Sequence, residues 1–300
     1  MATYFKLVRW KNLLLIVFVF FVLKFSFFST LQIQTKLSIV DFLLLLLSVL
    51  AITAAGYIIN DIFDVKTDLI NKPTKVIVSQ KISLETAKKW YKTTNTVGIV
   101  LGIALCIKIS KPTHSFIFIG ISLLLYYYSK KIKTTPFIGN FLVSLLIAFS
   151  VLIFPLFEIE LIAKNNIQNL ATQIIWMLFF FAFSLNLIRE IVKDIEDVNG
   201  DYSLKMNTLP ILLGSLRTRS LVLFLCIVPI GLLLFIILKY SSIYKFTVLY
   251  LLLFVLMPLL YFTVKLRSAK KKTEFHKLSL LLKIIMLLGI NSLLIFSITL

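Results

Sequence analysis

The sequence predicts an all-α fold, a polytopic bundle of nine transmembrane helices. The 300 residues are 59% hydrophobic and only 15% charged, with a mean hydropathy of +0.98, whereas soluble domains carry about 25% charged residues. The apolar residues fall in runs of the length that a spanning helix needs, about 20 residues. Because these runs and their connections fill the chain, we treat residues 1–300 as a single membrane-embedded domain.

Nine apolar runs account for the predicted helices. They lie at about 12–31, 38–60, 93–110, 114–129, 137–157, 171–192, 219–239, 245–265 and 279–300. The third and fourth runs are short and nearly continuous, so hydropathy alone also allows an even number of spans. The longest inner connections, at about 61–92 and 193–218, are expected to be functional loops, since long polar connections in compact folds tend to carry function.

The distribution of basic residues predicts the topology. With the N-terminus inside, 24 Lys and Arg residues fall in inner segments and 6 in outer segments, and Lys24 and Lys283 lie within spans, which accounts for all 32. Cytoplasmic loops of membrane proteins carry such an excess. We therefore expect a cytoplasmic N-terminus, a C-terminus outside and an odd number of spans. The net charge of +19 reflects this topology, and nucleic acid is not an expected partner.

Acidic residues are clustered in two short stretches, and this clustering is the strongest signal in the sequence. Eight of the thirteen Asp and Glu residues lie there. The first stretch follows the second predicted helix and contains Asp61, Asp64 and Asp68. Their positions i, i+3 and i+7 place the three carboxylates on one helical face.

The second stretch follows the sixth predicted helix and forms another one-sided stripe. Its members at i, i+4, i+7 and i+11 are Glu190, Asp194, Asp197 and Asp201. Glu196 is expected to point away from the stripe, and Asn199 with Gly200 can end the helix. Since both stretches lie at the inner ends of helices, we expect them to face one another on the cytoplasmic side.

Two acidic stripes at a membrane edge indicate a divalent cation. Like charges at these spacings destabilise a helix by roughly 0.2–0.5 kcal/mol per pair, and a low dielectric increases that cost. Carboxylates without His or Cys nearby favour Mg²⁺. Because Mg²⁺ takes only one or two carboxylates and completes its shell with water and phosphate oxygens, eight acids indicate a phosphate-bearing ligand. The alternative is a solvated rim of acids paired with neighbouring Lys and Arg, which the regular spacing of both clusters disfavours.

Two stretches of sequence resemble the UbiA superfamily of intramembrane prenyltransferases. NDIFDVKTDLINKPTK, from Asn60 to Lys75, is similar to the first signature of that superfamily, and REIVKDIEDVNGD, from Arg189 to Asp201, is similar to the second. Two further stretches, YYYSKKIKTTPFIGN from Tyr126 and TLPILLG from Thr208, most resemble the branch of geranylgeranylglycerol-phosphate geranylgeranyltransferases. The resemblance covers essentially the whole chain.

The resemblance implies both a chemistry and the residues that perform it. Mg²⁺ bound by the two motifs would hold the diphosphate of a polyprenyl donor as leaving group while an acceptor attacks the allylic carbon. The implied catalytic and metal-binding residues are Asp61, Asp64, Asp68, Asp194, Asp197 and Asp201. The implied diphosphate-binding residues are Asn60, Lys72, Lys75, Lys133, Arg189 and Lys193. Arg189 and Glu190 could equally form a structural pair.

The expected partners are a polyprenyl diphosphate donor, membrane lipids and an acceptor similar to geranylgeranylglyceryl phosphate. An aromatic acceptor of quinone biosynthesis, such as 4-hydroxybenzoate or dihydroxynaphthoate, is the alternative within the enzyme class. From another class, a transporter of ions or polyanions would also place acids in a bundle, although transporter sites lie near the membrane midplane. The implied location is a multi-pass protein of the prokaryotic plasma (inner) membrane with its active site facing the cytoplasm.

One loop departs from the superfamily. Lys72 and Lys75 stand where arginine is usual, and Lys75–Gln80 replace a segment that is often Arg-Pro-Ile-Pro-Ser-Gly, with the loss of a proline and a glycine. Lysine retains the charge of arginine but lacks its bidentate fork. We expect this loop to affect the choice of substrate. The basic run Lys270–Lys272 is interpreted as an anchor to anionic headgroups.

Overall fold

The fold is all-helical over the residues that the structure, a computed structural model, describes: 2–71, 73–159, 166–203 and 206–299. Within them there are fourteen α-helices and no β-strand. The helices are α1 (Ala2–Leu7), α2 (Trp10–Phe21), α3 (Ile39–Phe63), α4 (Val65–Asn71), α5 (Leu84–Lys108), α6 (Ser115–Lys130), α7 (Ile138–Glu158), α8 (Asn166–Ser203), α9 (Leu209–Leu213), α10 (Ser215–Leu225), α11 (Ile227–Tyr240), α12 (Lys245–Tyr250), α13 (Met257–Ser268) and α14 (Lys272–Thr299). The predicted all-α class is confirmed.

Seven helical stretches among the described residues are long and apolar enough to cross a membrane. They are Trp10–Phe28, Ile39–Phe63, Ile138–Glu158, Asn166–Ser203, Ser215–Tyr240, Lys245–Ser268 and Lys272–Thr299. The two other predicted spans are also helices, α5 and α6, but the first half of α5 is polar and α6 has only 16 residues. A bundle of membrane-spanning helices is thus observed, while a total of nine spans and the orientation of the termini stay predictions.

Several short helical segments complete these elements. A π-helix, Val22–Phe28, continues α2, and a second, Leu251–Leu256, joins α12 to α13. Single 3₁₀ turns cover Pro73–Lys75, Pro112–His114 and Ile132–Thr134. The two inner segments at 61–92 and 193–218 therefore contain helical residues, including α4 and the first residues of α5 in one and the end of α8 and α9 in the other.

The helix α8 is longer than the sequence predicts. Its apolar part agrees with the run at 171–192, but the helix continues through the second acidic stretch to Ser203. Asn199 and Gly200, which could have ended the helix, lie inside it. Helical hydrogen bonding is therefore maintained along the whole stripe, and Gly200 has a packing role that is described with the site.

Contacts between residues divide the chain into two compact units. The first comprises Met1–Phe18, Leu37–Gly139 and Asn199–Lys205, and the second comprises Val19–Lys36, Asn140–Val198 and Met206–Leu300. In the first unit, α3 packs against α5 and α6. In the second, α8 and the helices from α9 onward contribute to one apolar core, whose fully buried members include Ile188, Val222, Phe262 and Leu282.

Close contact between α3 and α5 depends on Gly98. The Ser48 hydroxyl donates a hydrogen bond to the Gly98 carbonyl at 2.7 Å. A Cβ atom on Gly98 would lie 2.9 Å from the backbone nitrogen of Ile52, which cannot move aside as a side chain can. Small residues allow membrane helices to approach in this way and gain van der Waals contact. Gly98 therefore sets the spacing of the helix that carries the first acidic motif.

The second unit contains a buried ion pair. Lys24, within the π-helix, lies 2.6 Å from the Glu158 carboxylate at the end of α7, and the Glu158 side chain is fully buried. Glu158 also accepts a hydrogen bond from the Lys36 amide at 2.6 Å. Charges inside apolar surroundings require such partners. Lys24, which the sequence places within a span, is thus neutralised by a residue distant in the chain.

Substituting Gly98 by Ala is expected to destabilise the first unit. The added methyl group would overlap the Ile52 backbone, and overpacking of this kind costs about 1–3 kcal/mol. The thermal unfolding midpoint of the detergent-purified chain should fall. Gly120→Ala is the matched control, because a Cβ atom at Gly120 meets nothing within 4 Å. Equal midpoints for the two variants would contradict this account of helix spacing.

Candidate active site

The first acidic motif lies at the end of α3, where two helices meet with continuous hydrogen bonding. Asp64 separates α3 from α4, yet its amide donates to the Asn60 carbonyl at 2.9 Å, and the Asp68 amide donates to the Asp64 carbonyl at 2.8 Å. Asp64 itself has helical torsion angles, with φ −86° and ψ 0°. The helical spacing of Asp61, Asp64 and Asp68 is therefore preserved across the junction, as the sequence predicts.

Asp64 is the most enclosed of these three carboxylates. Only 7% of the residue is exposed. The Asn60 amide donates to its Oδ2 atom at 2.6 Å, and the Lys133 ammonium makes an ion pair with the same oxygen. Burial at an apolar helix end makes an unpaired carboxylate costly. Asn60 and Lys133, both expected in the site, are thus brought directly to a predicted metal ligand.

The position of Lys133 follows from a tight turn. Lys133 lies in the 3₁₀ turn Ile132–Thr134, and a Cβ atom on Gly139 would lie 2.9 Å from the Lys133 carbonyl oxygen. Glycine therefore allows the start of α7 to pack on this turn. Burial opposes the charge of Lys133, but the attraction and hydrogen bond of Asp64 outweigh it and raise the pKa of the ammonium. Lys133 stays protonated beside Asp64.

Arg9 is a member of the site that sequence reasoning missed. Its guanidinium donates to Asp61 Oδ1 at 2.9 Å and lies 5.0 Å from the centre of the Tyr57 ring. The residue has a φ of 52° between α1 and α2, an uncommon conformation for a non-glycine residue. In sequence Arg9 was indistinguishable from the other basic residues that set topology. No local pattern signals its contact with Asp61.

Asp201, the last aspartate of the second motif, contacts the segment of chain that follows the first motif. The Asn71 amide at the end of α4 donates to Asp201 Oδ1 at 3.4 Å, and both residues belong to the first unit. Gly200 makes this approach possible, since a Cβ atom there would lie 1.9 Å from Asn71 Oδ1. Asp201 is buried. The structure thus brings together two residues that are 130 positions apart.

Three further residues of this region, Asp68, Lys72 and Lys75, were predicted to belong to the site. Asp68 is half-buried. Lys72 lies outside the described residues, as does the side chain of Lys75, whose backbone ends the turn Pro73–Lys75. Their assignment to the diphosphate stays a prediction.

In the second unit, Asp194 is held from a neighbouring helix. The Asn140 amide on α7 donates to Asp194 Oδ2 at 2.8 Å. The carbonyl of Asn140 in turn accepts a hydrogen bond from the Ser144 hydroxyl at 2.6 Å. Asn140 was part of the stretch that carried the resemblance, but its role becomes visible only through the fold.

Arg189 and Lys193 share one carboxylate, that of Glu190. Arg189 Nη1 lies 2.8 Å from Glu190 Oε1, and Lys193 Nζ lies 2.8 Å from Oε2. The pairing of Arg189 with Glu190, left open by the sequence, is therefore present. Arg189 retains a buried Nε–H group with no acceptor among the described residues. Both cations lie on the turn of α8 that precedes Asp194.

The first turns of α14 contact the second motif. Lys272 Nζ lies 3.7 Å from Asp197 Oδ1, and His276 Nδ1 lies 3.0 Å from Glu196 Oε1. Glu196, expected to point away from the stripe, is only 8% exposed and faces α14. Lys272, the last residue of the basic run, thus contacts a motif aspartate, and the anchoring of this run to headgroups stays a prediction.

The donor set suits Mg²⁺ by its chemistry. The motifs offer carboxylate and amide oxygens, which Mg²⁺ prefers. Among the described residues, no three Asp, Glu, His or Cys side chains are grouped closely enough to hold one ion together. Since Mg²⁺ needs only one or two protein carboxylates, such a group is not required. The six motif aspartates accordingly stay predicted ligands.

Comparison with known proteins identifies the family. The sequence profile of the UbiA prenyltransferase family matches residues 13–285. The digeranylgeranylglyceryl phosphate synthase of Methanosphaera stadtmanae is 32% identical over 251 residues, which is 82% of this chain and 84% of that protein. The synthase of Methanobrevibacter smithii is 34% identical over 175 residues, 58% of this chain and 59% of that protein. The chain thus spans 59% of the length of this second relative.

Solved structures have the same fold. A structure of digeranylgeranylglyceryl phosphate synthase superposes with a TM-score of 0.66 at 28% identity, covering 100% of this chain and 99% of that chain. A UbiA homologue from Archaeoglobus fulgidus bound to GPP and Mg²⁺ superposes with a TM-score of 0.59 at 16% identity, covering 97% and 99% of the two chains. At that identity the likeness concerns the fold alone. With a family match over most of its length, the chain belongs to the UbiA prenyltransferase family.

Proposed function

We propose that this protein transfers a polyprenyl group from a polyprenyl diphosphate to a lipid-phosphate acceptor similar to geranylgeranylglyceryl phosphate. Family membership and the relatives named digeranylgeranylglyceryl phosphate synthase support the reaction class. The observation that carries the proposal is the hydrogen bond between Asn71 and Asp201. It joins Asp201 of the second motif to the segment that follows Asp68, within one compact unit, and this contact supports a diphosphate site that includes residues of both motifs.

The first motif supplies charge for the leaving group. Mg²⁺, when bound by the aspartates, neutralises the diphosphate and stabilises the negative charge that develops on it. Lys133 forms an ion pair with Asp64. Arg9 forms one with Asp61, so two cations lie beside the carboxylates of the first motif. Preorganised cations aimed at developing charge are a large source of rate enhancement.

The second motif is proposed to bind diphosphate through its own polar side chains in the second unit. Asn140 orients Asp194, while Arg189 and Lys193 are held by Glu190 and can turn toward a stronger anion. Charge-assisted hydrogen bonds to phosphate are stronger than neutral ones. These residues would hold the departing diphosphate after the bond to the allylic carbon breaks.

A cluster of three aromatic rings includes Phe63, the residue that precedes Asp64 in the chain. The Tyr126 ring centre lies 6.0 Å from that of Phe63 and 6.5 Å from that of Tyr91. Ring faces attract cations, so these three rings are proposed to shelter positive charge on the allylic carbon.

The membrane arrangement is proposed to follow the sequence prediction. In it α5 and α6 are also spans, the N-terminus is cytoplasmic, and both motifs open to the cytoplasm of a prokaryotic cell. The excess of basic residues in the inner segments supports this orientation.

Neutralising one aspartate of either motif should greatly reduce prenyl transfer. Asp64→Asn and Asp194→Asn each remove a charged oxygen ligand while retaining size, and we expect losses of about a hundredfold or more, the scale of losing one transition-state charge stabiliser. The measurement is Mg²⁺-dependent incorporation of a radiolabelled prenyl group. Glu85→Gln, an exposed acid in the first turn of α5, is the control and should keep full activity. Retained transfer in both motif variants would refute the assignment.

Lys133 should affect the donor as well as the fold, because its replacement leaves the buried Asp64 carboxylate without its cation. Lys133→Gln is expected to raise the KM for polyprenyl diphosphate and lower kcat, since the cation next to Asp64 is lost. Lys133→Arg should retain more activity because it keeps the charge. Lys131→Gln removes the same charge from an exposed position two residues away and serves as the matched control. If the two glutamine variants behave alike, Lys133 has no specific role.

The acceptor is tested directly by product analysis. Purified protein with Mg²⁺ and a series of polyprenyl diphosphates is offered geranylgeranylglyceryl phosphate, 4-hydroxybenzoate or dihydroxynaphthoate, and the products are identified by mass. We expect a prenylated lipid phosphate. If the only product is a prenylated aromatic acid, the proposed acceptor is wrong but the proposed prenyl transfer stands. If no acceptor yields a product, the proposed reaction is overturned.

A further inference from the structure

The start of α14 is anchored at several points beside the second acidic motif. The Arg219 guanidinium on α10 donates to the Ala269 carbonyl at 2.9 Å. The Glu274 carboxylate accepts hydrogen bonds from the amides of Lys270 and Lys271, both at 2.8 Å. These contacts cap the helix and fix the short connection from α13. The first turns of α14 are therefore held in a defined place.

Two side chains of these turns contact consecutive residues of the motif. Lys272 and His276 are four positions apart, so they lie on one face of α14. Lys272 lies 3.7 Å from Asp197, and His276 Nδ1 donates to Glu196 Oε1 at 3.0 Å. Both contacts are made by the same face of α14, and no sequence motif predicts them.

The contact between His276 and Glu196 differs from an ordinary surface pair. The Glu196 side chain is only 6% exposed, whereas that of His276 is 57% exposed. A surface ion pair contributes little to stability, but a buried carboxylate needs a hydrogen-bond donor. The imidazole reaches inward from the surface to satisfy the buried acid.

The geometry of α8 makes this bond relevant to the predicted metal ligands. With 3.6 residues per turn, Glu196 is about 100° around the helix from Asp197 and about 200° from Asp194. The bond at Glu196 and the contact at Asp197 thus restrain the rotation of α8 about its axis. Helix rotation determines where both carboxylates point.

We propose that His276 is a positioning residue, which orients Asp194 and Asp197 for a divalent cation through its hydrogen bond to Glu196. This inference rests on the proposed function, because it assigns the aspartates as ligands. Residues that orient metal ligands without touching the metal commonly affect its affinity strongly. His276 would do so from a helix outside both motifs.

The test measures metal binding apart from catalysis. Binding of Mn²⁺ to the purified full-length chain is followed by electron paramagnetic resonance without donor or acceptor. His276→Ala is expected to weaken Mn²⁺ binding about tenfold or more and to raise the Mg²⁺ concentration needed for half-maximal prenyl transfer. His276→Asn should restore most of the affinity, because its amide nitrogen lies near the place of Nδ1 and can donate to Glu196.

The chain supplies a matched control. His114 is the only other histidine in the sequence, and it lies in the turn Pro112–His114 of the first unit. His114→Ala should leave the Mn²⁺ affinity at the wild-type value. If His276→Ala fails to fold because Glu196 is left buried and unpaired, the double variant Glu196→Gln with His276→Ala removes the buried charge. That variant should also bind Mn²⁺ weakly.

Other outcomes distinguish the positioning role of His276 from the proposed prenyl transfer. An unchanged Mn²⁺ affinity in His276→Ala or in the double variant, with only a lower unfolding temperature, would make the bond purely structural and overturn the inference. Wild-type protein that binds Mn²⁺ but transfers no prenyl group would overturn the proposed function, while weaker binding in His276→Ala would still support the positioning role.

Discussion

Neutralisation of buried carboxylates is the constraint on which the rest of the structure depends. Asp64 at the end of α3 is almost inaccessible, and its charge is balanced by Lys133 and by the amide of Asn60. Glu158 is fully buried and balanced by Lys24. Both compensating cations, Lys133 and Lys24, come from distant parts of the chain, since local sequence near an apolar helix offers few cations. The acids therefore determine which distant segments must meet.

Glycine residues allow close contact between chain segments at two places. Gly98 lets α3 and α5 come into backbone contact, and Gly200 lets the Asn71 side chain reach Asp201. In both places a methyl group would occupy the space of an atom already present. Close packing in lipid is favourable through van der Waals contact and interhelical hydrogen bonds. The same packing that holds the helices together thus carries functional side chains to their partners.

The sequence predicted the fold class and the arrangement of acids well, for a common reason. Hydropathy runs and i, i+3, i+4 spacings are local properties, and a helix converts them directly into length and face. The stripe of Asp61, Asp64 and Asp68 survives the junction at Asp64 because the hydrogen bonds continue. The end of α8 was harder to locate, since Gly200 has a low helix propensity yet is held in the helix by tertiary contacts.

The sequence by itself determined that the protein is a helical membrane protein with two acidic motifs, because composition and spacing are local properties of the chain, and the resemblance of those motifs indicated the UbiA family. Only the tertiary structure decided which cations and amides serve each acid. Arg9, Asn140 and His276 carry no local signal, as their contacts with Asp61, Asp194 and Glu196 join residues 52, 54 and 80 positions apart. Such pairs form because buried charges need partners, and only the packing of helices determines which partner is within reach.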